Sequence, residues 1–277
     1  SSDLTMSTIP EKSYGVWNQT IVNDHLDGVV EQVIQQGYAV LDAGYTAEQI
    51  SSIQHEFSRV HEYYVSKYGF DQLKAGNEHN TIRGMLTHNS SLMLDLAMND
   101  HLLTVLKRLI PGKFILNQQN GIINPPQEEY NQGSWHRDIP YQHFVSSRPL
   151  AINALYCVDE FTLANGATFV LPATHLKEPF PSKQYIARHA VQAEAKAGSF
   201  IVLDCMIYHS GGYNSTNKSR RAVNHVYNIP FFKQQINIPN SMPRNMDLSD
   251  TARELLGYTF TEPTSVDEYL QSRINKH

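Results

Sequence analysis

The sequence predicts a mainly β protein with flanking helices, built on a double-stranded β-helix or jelly-roll core. Three observations carry this reading. After Lys113, short runs rich in β-branched and aromatic residues recur at 114–116, 151–158, 167–171, 199–207 and 222–229. Turn formers such as Asn165-Gly166, Pro172 and Gly211-Gly212 separate them, which is the punctuation of antiparallel strands. Few helical patterns lie between these runs, which favours sheet packed on sheet over alternating strands and helices.

Before Lys113 the apolar period lengthens. Residues 21–36 carry Leu26, Val29, Val30, Val33 and Ile34 at helical spacing, and Gly37 ends that helix. A short strand at 38–41 follows. Thr46, with Gln49 three residues on, fits a capping box. The helix it opens shows Ile50, Ile53, Phe57, Val60 and Tyr64 on one face. Residues 92–110 form a third periodic stretch, broken near Asn99-Asp100 and closed by Pro111-Gly112. The polar stretch 70–91 reads as a long loop, either a functional lid or a disordered segment. A C-terminal helix at 249–257 follows a Pro-rich loop. With no internal repeat or linker, one domain is expected over 1–277. A helical part (1–112) would pack on a cupin-like jelly-roll core (113–232), followed by a C-terminal loop and helix (233–277).

The chain has 277 residues, 41% of them hydrophobic and 18% charged, an ordinary globular composition with enough length for a sizeable core. A net charge of -5, with basic residues only in short spots such as Arg220-Arg221, argues against nucleic acid as a partner. No secretory signal and no membrane-length apolar run are visible, so a cytoplasmic enzyme away from the membrane is the expectation. Cys157 and Cys205 both sit inside apolar runs, which suits buried strand residues better than a disulfide framework.

The informative segment is Ser134-Trp135-His136-Arg137-Asp138. On an extended chain, residues two apart point to the same face, so His136 and Asp138 can reach one metal. His209, just after a strand and before Gly211-Gly212, is the best third ligand. Two imidazoles and one carboxylate on one face of an octahedron leave three positions open for a chelating co-substrate and dioxygen, the facial triad of non-haem iron(II) oxygenases. The chain holds 13 His, so the tripeptide alone is weak evidence. Arg220 adds to it. Eleven residues beyond His209 and opening a strand, it is either a surface residue or a buried guanidinium that needs an anionic partner. A guanidinium binds carboxylates as a rigid fork.

From about Gly37 to Tyr258 the chain resembles the phytanoyl-CoA dioxygenase family of 2-oxoglutarate-dependent oxygenases. The resemblance rests on Gly37-Tyr38-Ala39-Val40-Leu41, Ile122-Ile123-Asn124-Pro125-Pro126, His136-Arg137-Asp138-Ile139-Pro140-Tyr141 and the run from Asn165 to His175. Its most diagnostic part is His209-Ser210-Gly211-Gly212-Tyr213-Asn214 followed by Arg220. The resemblance implies that His136, Asp138 and His209 bind iron(II) and that Arg220 binds the remote carboxylate of 2-oxoglutarate. It implies dioxygen-dependent oxidation of a small-molecule substrate, with succinate and carbon dioxide released. Related halogenating enzymes replace the carboxylate with a small residue, so Asp138 points to hydroxylation or a related oxidation.

Two departures matter. Many members carry a hydroxyl residue two positions after the distal His, where this chain has Gly211; Ser210 is the expected substitute. The family often places a polar residue on the strand before the metal-binding turn, and Gln119, by parity with Gly121 and Ile123, is the expected inward group. Arg83, Tyr141 and His143, with Asn80, are expected near the pocket mouth and suggest a polar metabolite as substrate. His175 is expected to be structural. The competing readings are a cupin-like metalloenzyme that does not use 2-oxoglutarate and a non-catalytic jelly-roll module for small molecules or carbohydrates; Arg220 argues against the first.

Overall fold

The computed structural model describes residues 9–139 and 141–274; Pro140 lies outside them. Nine strands form in chain order: β1 (Tyr38–Asp42), β2 (Thr81–Ile82), β3 (Ile115–Asn124), β4 (Ala151–Cys157), β5 (Thr168–Val170), β6 (Val191–Ala193), β7 (Ser199–Asp204), β8 (His209–Ser210) and β9 (Arg220–Asn228). They build a six-stranded sheet of order β1-β7-β4-β9-β3-β2 and a three-stranded sheet of order β6-β5-β8. Every pairing is antiparallel, as a jelly roll requires.

Five helices precede the long strands: α1 (His25–Gln36), α2 (Ala47–Tyr68), α3 (Phe70–Ala75), α4 (Ser91–Ala97) and α5 (Asp100–Leu109). The caps follow the sequence. The Asp24 carboxylate accepts from Asp27 N, and Gly37 closes α1 at φ 81, a left-handed backbone that glycine adopts without strain. Thr46 and Gln49 make the reciprocal capping box of α2. Asn99 caps α5, so the break in the third periodic stretch is a new helix start. The faces that carry Ile53, Phe57, Val60, Leu102 and Val105 bury against one side of the large sheet, where they meet Tyr156, Phe200 and Tyr227 in the main core.

The pleat of β9 separates two environments. Val223, His225 and Tyr227 face the helices; Arg220, Ala222, Asn224 and Val226 face the barrel interior. Its neighbours are in register, with Ile122 opposite Ala222 on β3 and Leu155 opposite Asn224 on β4. Antiparallel register carries the same inside-outside division across all three strands.

Several expectations change here. The stretch 70–91 is neither lid nor open loop: α3, β2 and a 3₁₀ turn at Met85–Thr87 fill it, because Leu73, Ile82, Met85 and Leu86 bury in the core. Strand β3 runs on through the amide-rich Asn117-Gln118-Gln119-Asn120, a polar run that hid it. A helix at Lys183–His189 and another at Val266–Ile274 were not expected. The helix foreseen at 249–257 is Asp250–Leu255, capped by Ser249.

Gln119 points away from the barrel interior. A register shift between Leu116 and Gln118 resets the alternation, and Gly121, of the same parity, faces the helices: a Cβ there would stand 2.8 Å from both Ile82 Cδ1 and Met85 Sδ. Gln119 Nε2 donates to Met93 O at 2.6 Å and lies 2.9 Å from His225 Nε2. The other ring nitrogen, Nδ1, lies 3.0 Å from Ala154 O. Burial pulls the His225 pKa down to about 4, so the ring is neutral, donating from Nδ1 and accepting from Gln119. Both cysteines are buried and unpaired.

Gln119→Leu should therefore lower the unfolding free energy by about 1–3 kcal/mol in a urea titration, the cost of leaving a buried acceptor without its donor. A variant of unchanged stability would contradict this packing.

Candidate metal centre

The segment before the barrel's mouth is tied to β8 by backbone. His136 N donates to His209 O at 3.0 Å and His209 N to His136 O at 3.1 Å. Asp138 N donates to Cys205 O at 3.0 Å. This short ladder turns His136, Asp138 and His209 to the same side. One ligand atom from each lies within 4.8 Å of the other two. Asp138 Oδ1 stands 3.7 Å from His136 Nε2 and 3.4 Å from His209 Nε2.

Each ligand is oriented by a partner. His136 Nδ1 lies 2.7 Å from Ser134 O and His209 Nδ1 lies 3.1 Å from Ile207 O. A ring nitrogen facing a carbonyl must carry the proton, which leaves both Nε2 lone pairs directed at the shared site. Asn153 Nδ2 donates to Asp138 Oδ2 at 2.7 Å and leaves Oδ1 for a metal. Burial alone would raise the Asp138 carboxyl, but the His209 and His136 imidazoles and the Asn153 amide outweigh it and hold the group at about 2. Burial and the neighbouring His209 push His136 down, so its ring is easily kept neutral. Burial opposes charge on His209 as well, but the Asp138 carboxylate wins and raises it.

Arg137, between the two ligands, points the other way. Its guanidinium donates to the carbonyls of Gln142, Thr174 and Lys177 and lies 4.0 Å over the Tyr208 ring. It fastens the metal-binding turn to the segment around Thr174–Leu176.

Arg220 lies within the barrel, 3% exposed. Its guanidinium sits 3.7 Å above the Phe161 ring. Among the described residues it forms no ion pair, its Nε has no partner, and its one polar contact is the Tyr130 hydroxyl at 3.5 Å. Arg221, on the opposite face, has a carboxylate of its own, with Asp159 at 2.7 and 2.9 Å. Burial pulls the Arg220 pKa below its ordinary value, the expected strain of a cation without a counterion.

A small cavity joins His136, Asp138 and His209 to Arg220 and is lined further by Tyr130, Asn153, Asn224 and Gly211. A second, larger one opens on the far side of Asp138 between Ile139, Tyr141, Ala151, Val226 and Phe232. Asp138 belongs to both.

The other expected residues divide. Tyr141 lines the second cavity, with His143 against its ring edge at 5.4 Å. Arg83 lines neither cavity: it forms a bidentate pair with Glu78 at 2.8 and 2.6 Å and reaches Gln235, a wall residue of the second cavity, at 3.5 Å. Asn80 accepts from Ile123 N through its carbonyl. Ser210 alternates with His209 and turns off the cavity, donating to Gly211 O at 3.2 Å. His175 Nε2 lies 3.0 Å from Ile34 O, where it joins α1 to the barrel. Tyr130, Asn153 and Asn224 were not foreseen. The two asparagines had a signal, as polar residues inside otherwise apolar strands; Tyr130, in a loop, had none.

The family model described as phytanoyl-CoA dioxygenase matches residues 34–222. An uncharacterized protein of Mycobacterium tuberculosis is 30% identical over 256 residues, covering 90% of this chain and 93% of that protein. The dioxygenase FUM3 of Gibberella moniliformis is 28% identical over 213 residues, covering 70% of this chain and 69% of its own. Among solved structures, EctD from S. alaskensis with 2-oxoglutarate and 5-hydroxyectoine superposes with a TM-score of 0.63 at 22% identity, over 79% of this chain and 80% of that one. The jelly-roll fold is common to both.

Asn153→Leu should weaken divalent metal binding about 10- to 100-fold in competition with a chromogenic chelator, since it frees Asp138 to turn away. Unchanged affinity would mean that the amide does not orient the carboxylate.

Proposed function

This chain belongs to the phytanoyl-CoA dioxygenase family, and on that premise we propose that it is an iron(II)- and 2-oxoglutarate-dependent dioxygenase that oxidises a small-molecule substrate. The observation that carries the reading is the pairing, in one cavity, of two His and one Asp with a buried Arg220 that has no counterion.

The donor set fits the group. Two neutral imidazoles and a carboxylate suit iron(II) and leave positions free for other ligands. The cavity also fits a dicarboxylate. Arg220 Nε is buried with no partner among the described residues; it can only donate, and a buried donor is costly unless an acceptor such as a carboxylate satisfies it. His136, Asp138 and His209 would hold the metal, and Arg220 would hold the remote carboxylate of 2-oxoglutarate. With both bound, the site supplies coupled oxidation by dioxygen: 2-oxoglutarate gives succinate and carbon dioxide as a substrate C–H bond is oxidised.

The protein's own part is binding, orientation and exclusion of water. Arg220, rigid over Phe161, fixes one end of the co-substrate. Asn153 steadies Asp138. The second cavity would take the substrate. Its walls mix apolar Ile139, Ala151, Val226 and Phe232 with the amides of Asn117, Gln118, Asn228 and Gln235 and with Lys233. That suits a metabolite with an apolar body and a few polar groups.

Anaerobic titration of iron(II) and 2-oxoglutarate into the metal-free protein should develop the weak visible charge-transfer band of a chelated keto acid. His136→Ala should abolish it, and Arg220→Ala should raise the 2-oxoglutarate concentration needed about 10- to 100-fold. Iron binding without a band would overturn the reading. Ala151→Trp, which fills the second cavity, should stop substrate oxidation while leaving 2-oxoglutarate affinity within about 2-fold of the unmodified chain. Loss of both would show that the cavities do not divide the two roles.

A further inference from the structure

Position 211 is glycine where many family members carry a hydroxyl residue, and the structure supplies a reason. A Cβ at Gly211 would stand 2.0 Å from Tyr130 Oη, 2.7 Å from Cζ and 3.0 Å from Cε1. Real side chains do not show such contacts, so a residue with a Cβ at 211 would require the Tyr130 ring to move. The space beside Arg220 that a residue at 211 would enter already holds the phenol of Tyr130.

The phenol arrives from another direction. Tyr130 lies in the segment between β3 and the metal-binding turn. Gly211 N donates to Gln132 O at 2.7 Å and pins that segment to the end of β8. Tyr130 Oη stands 3.5 Å from Arg220 Nη2, and both line the cavity that holds the three metal ligands. A guanidinium can only donate, so Tyr130 Oη accepts in that contact. Its own proton finds no acceptor among the described residues. Burial raises the Tyr130 pKa above its ordinary value, so the proton stays on the oxygen and is available to a ligand. Arg220, whose Nε has no partner, and Tyr130, whose proton has no acceptor among the described residues, thus present two donors at one end of the cavity.

We propose that Tyr130 is a co-substrate-binding residue: with Arg220 it forms a two-donor clamp on the remote carboxylate of 2-oxoglutarate. The hydroxyl usually carried at position 211 is delivered from the opposite loop, and residue 211 is glycine to make room for it. This rests on the 2-oxoglutarate reading above.

The test is calorimetric, under anaerobic conditions with manganese(II) in the metal site, using two probes: 2-oxoglutarate, and pyruvate, a keto acid with no remote carboxylate. Tyr130→Phe removes one oxygen and keeps the ring. It should raise the Kd for 2-oxoglutarate about 10-fold and leave that for pyruvate within about 2-fold. Gly211→Ser alone should bind 2-oxoglutarate poorly because the ring is in the way. Tyr130→Ala combined with Gly211→Ser should recover most of the affinity by returning the hydroxyl to the strand. If Tyr130→Phe binds 2-oxoglutarate as the unmodified chain does, while Arg220→Ala does not, the clamp is Arg220 alone and the proposal fails. Equal weakening toward both keto acids would make Tyr130 merely structural and also overturn it. If the unmodified chain binds no 2-oxoglutarate, the underlying functional reading falls, and the proposal with it.

Discussion

The site depends on two backbone hydrogen bonds between His136 and His209. They join segments remote in sequence in antiparallel register, and register decides which side chains face inward. A slip of one residue would turn Arg137 and Ser210 toward the cavity and send both imidazoles outward. The ladder is short, and it is held from behind. Asp138 N bonds to Cys205 O, and the Arg137 guanidinium collects carbonyls from the 174–177 turn. An arginine between two candidate metal ligands thus does a backbone's work. It satisfies acceptors that no strand reaches, and so fixes the angle at which its neighbours meet a metal.

The same inside-outside logic governs β9. Arg220 and Arg221 are adjacent and chemically identical, yet the pleat sends them to opposite fates. Arg221 meets Asp159 and is neutralised on the spot. Arg220 enters the barrel, lies over Phe161 and meets no carboxylate from the described chain. Folding therefore builds a positive charge into a cavity at a cost that only a bound anion recovers. Four residues on, on the same face, Asn224 leaves an unpartnered amide oxygen. On the other face, Gln119 Nε2, the His225 ring and Ala154 O form a polar chain among apolar neighbours, with Gln119 Oε1 left unpartnered.

How far the sequence could be read follows from how local each signal is. The pair His136 and Asp138, two residues apart on extended chain, and the Arg eleven residues after His209 were legible because a few positions determine them. The long strands with β-branched cores were legible too. Strand β3 was only partly so: its four consecutive amides carry no apolar alternation, and the residues that share Gln119's parity, Gly121 and Ile123, face the helices rather than the barrel interior. The stretch 70–91 read as polar because its few buried residues, Leu73, Ile82, Met85 and Leu86, follow no single period. Tyr130 could not be found by pattern at all. Its role depends on the absence of a side chain at 211, a relation between two loops that only three-dimensional contact reveals.

The placement of sulfur has its own consequence. Cys157 lies on β4 and Cys205 in the turn that follows β7, where it supplies the carbonyl that accepts from Asp138 N. Burial pushes both thiols well above their ordinary range. The thiolate is the form that oxidants attack. A chain of an iron- and dioxygen-using family thus keeps its two thiols buried, unpaired and protonated. Protection from self-inflicted damage comes from the same apolar packing that holds the barrel together, with no separate device required.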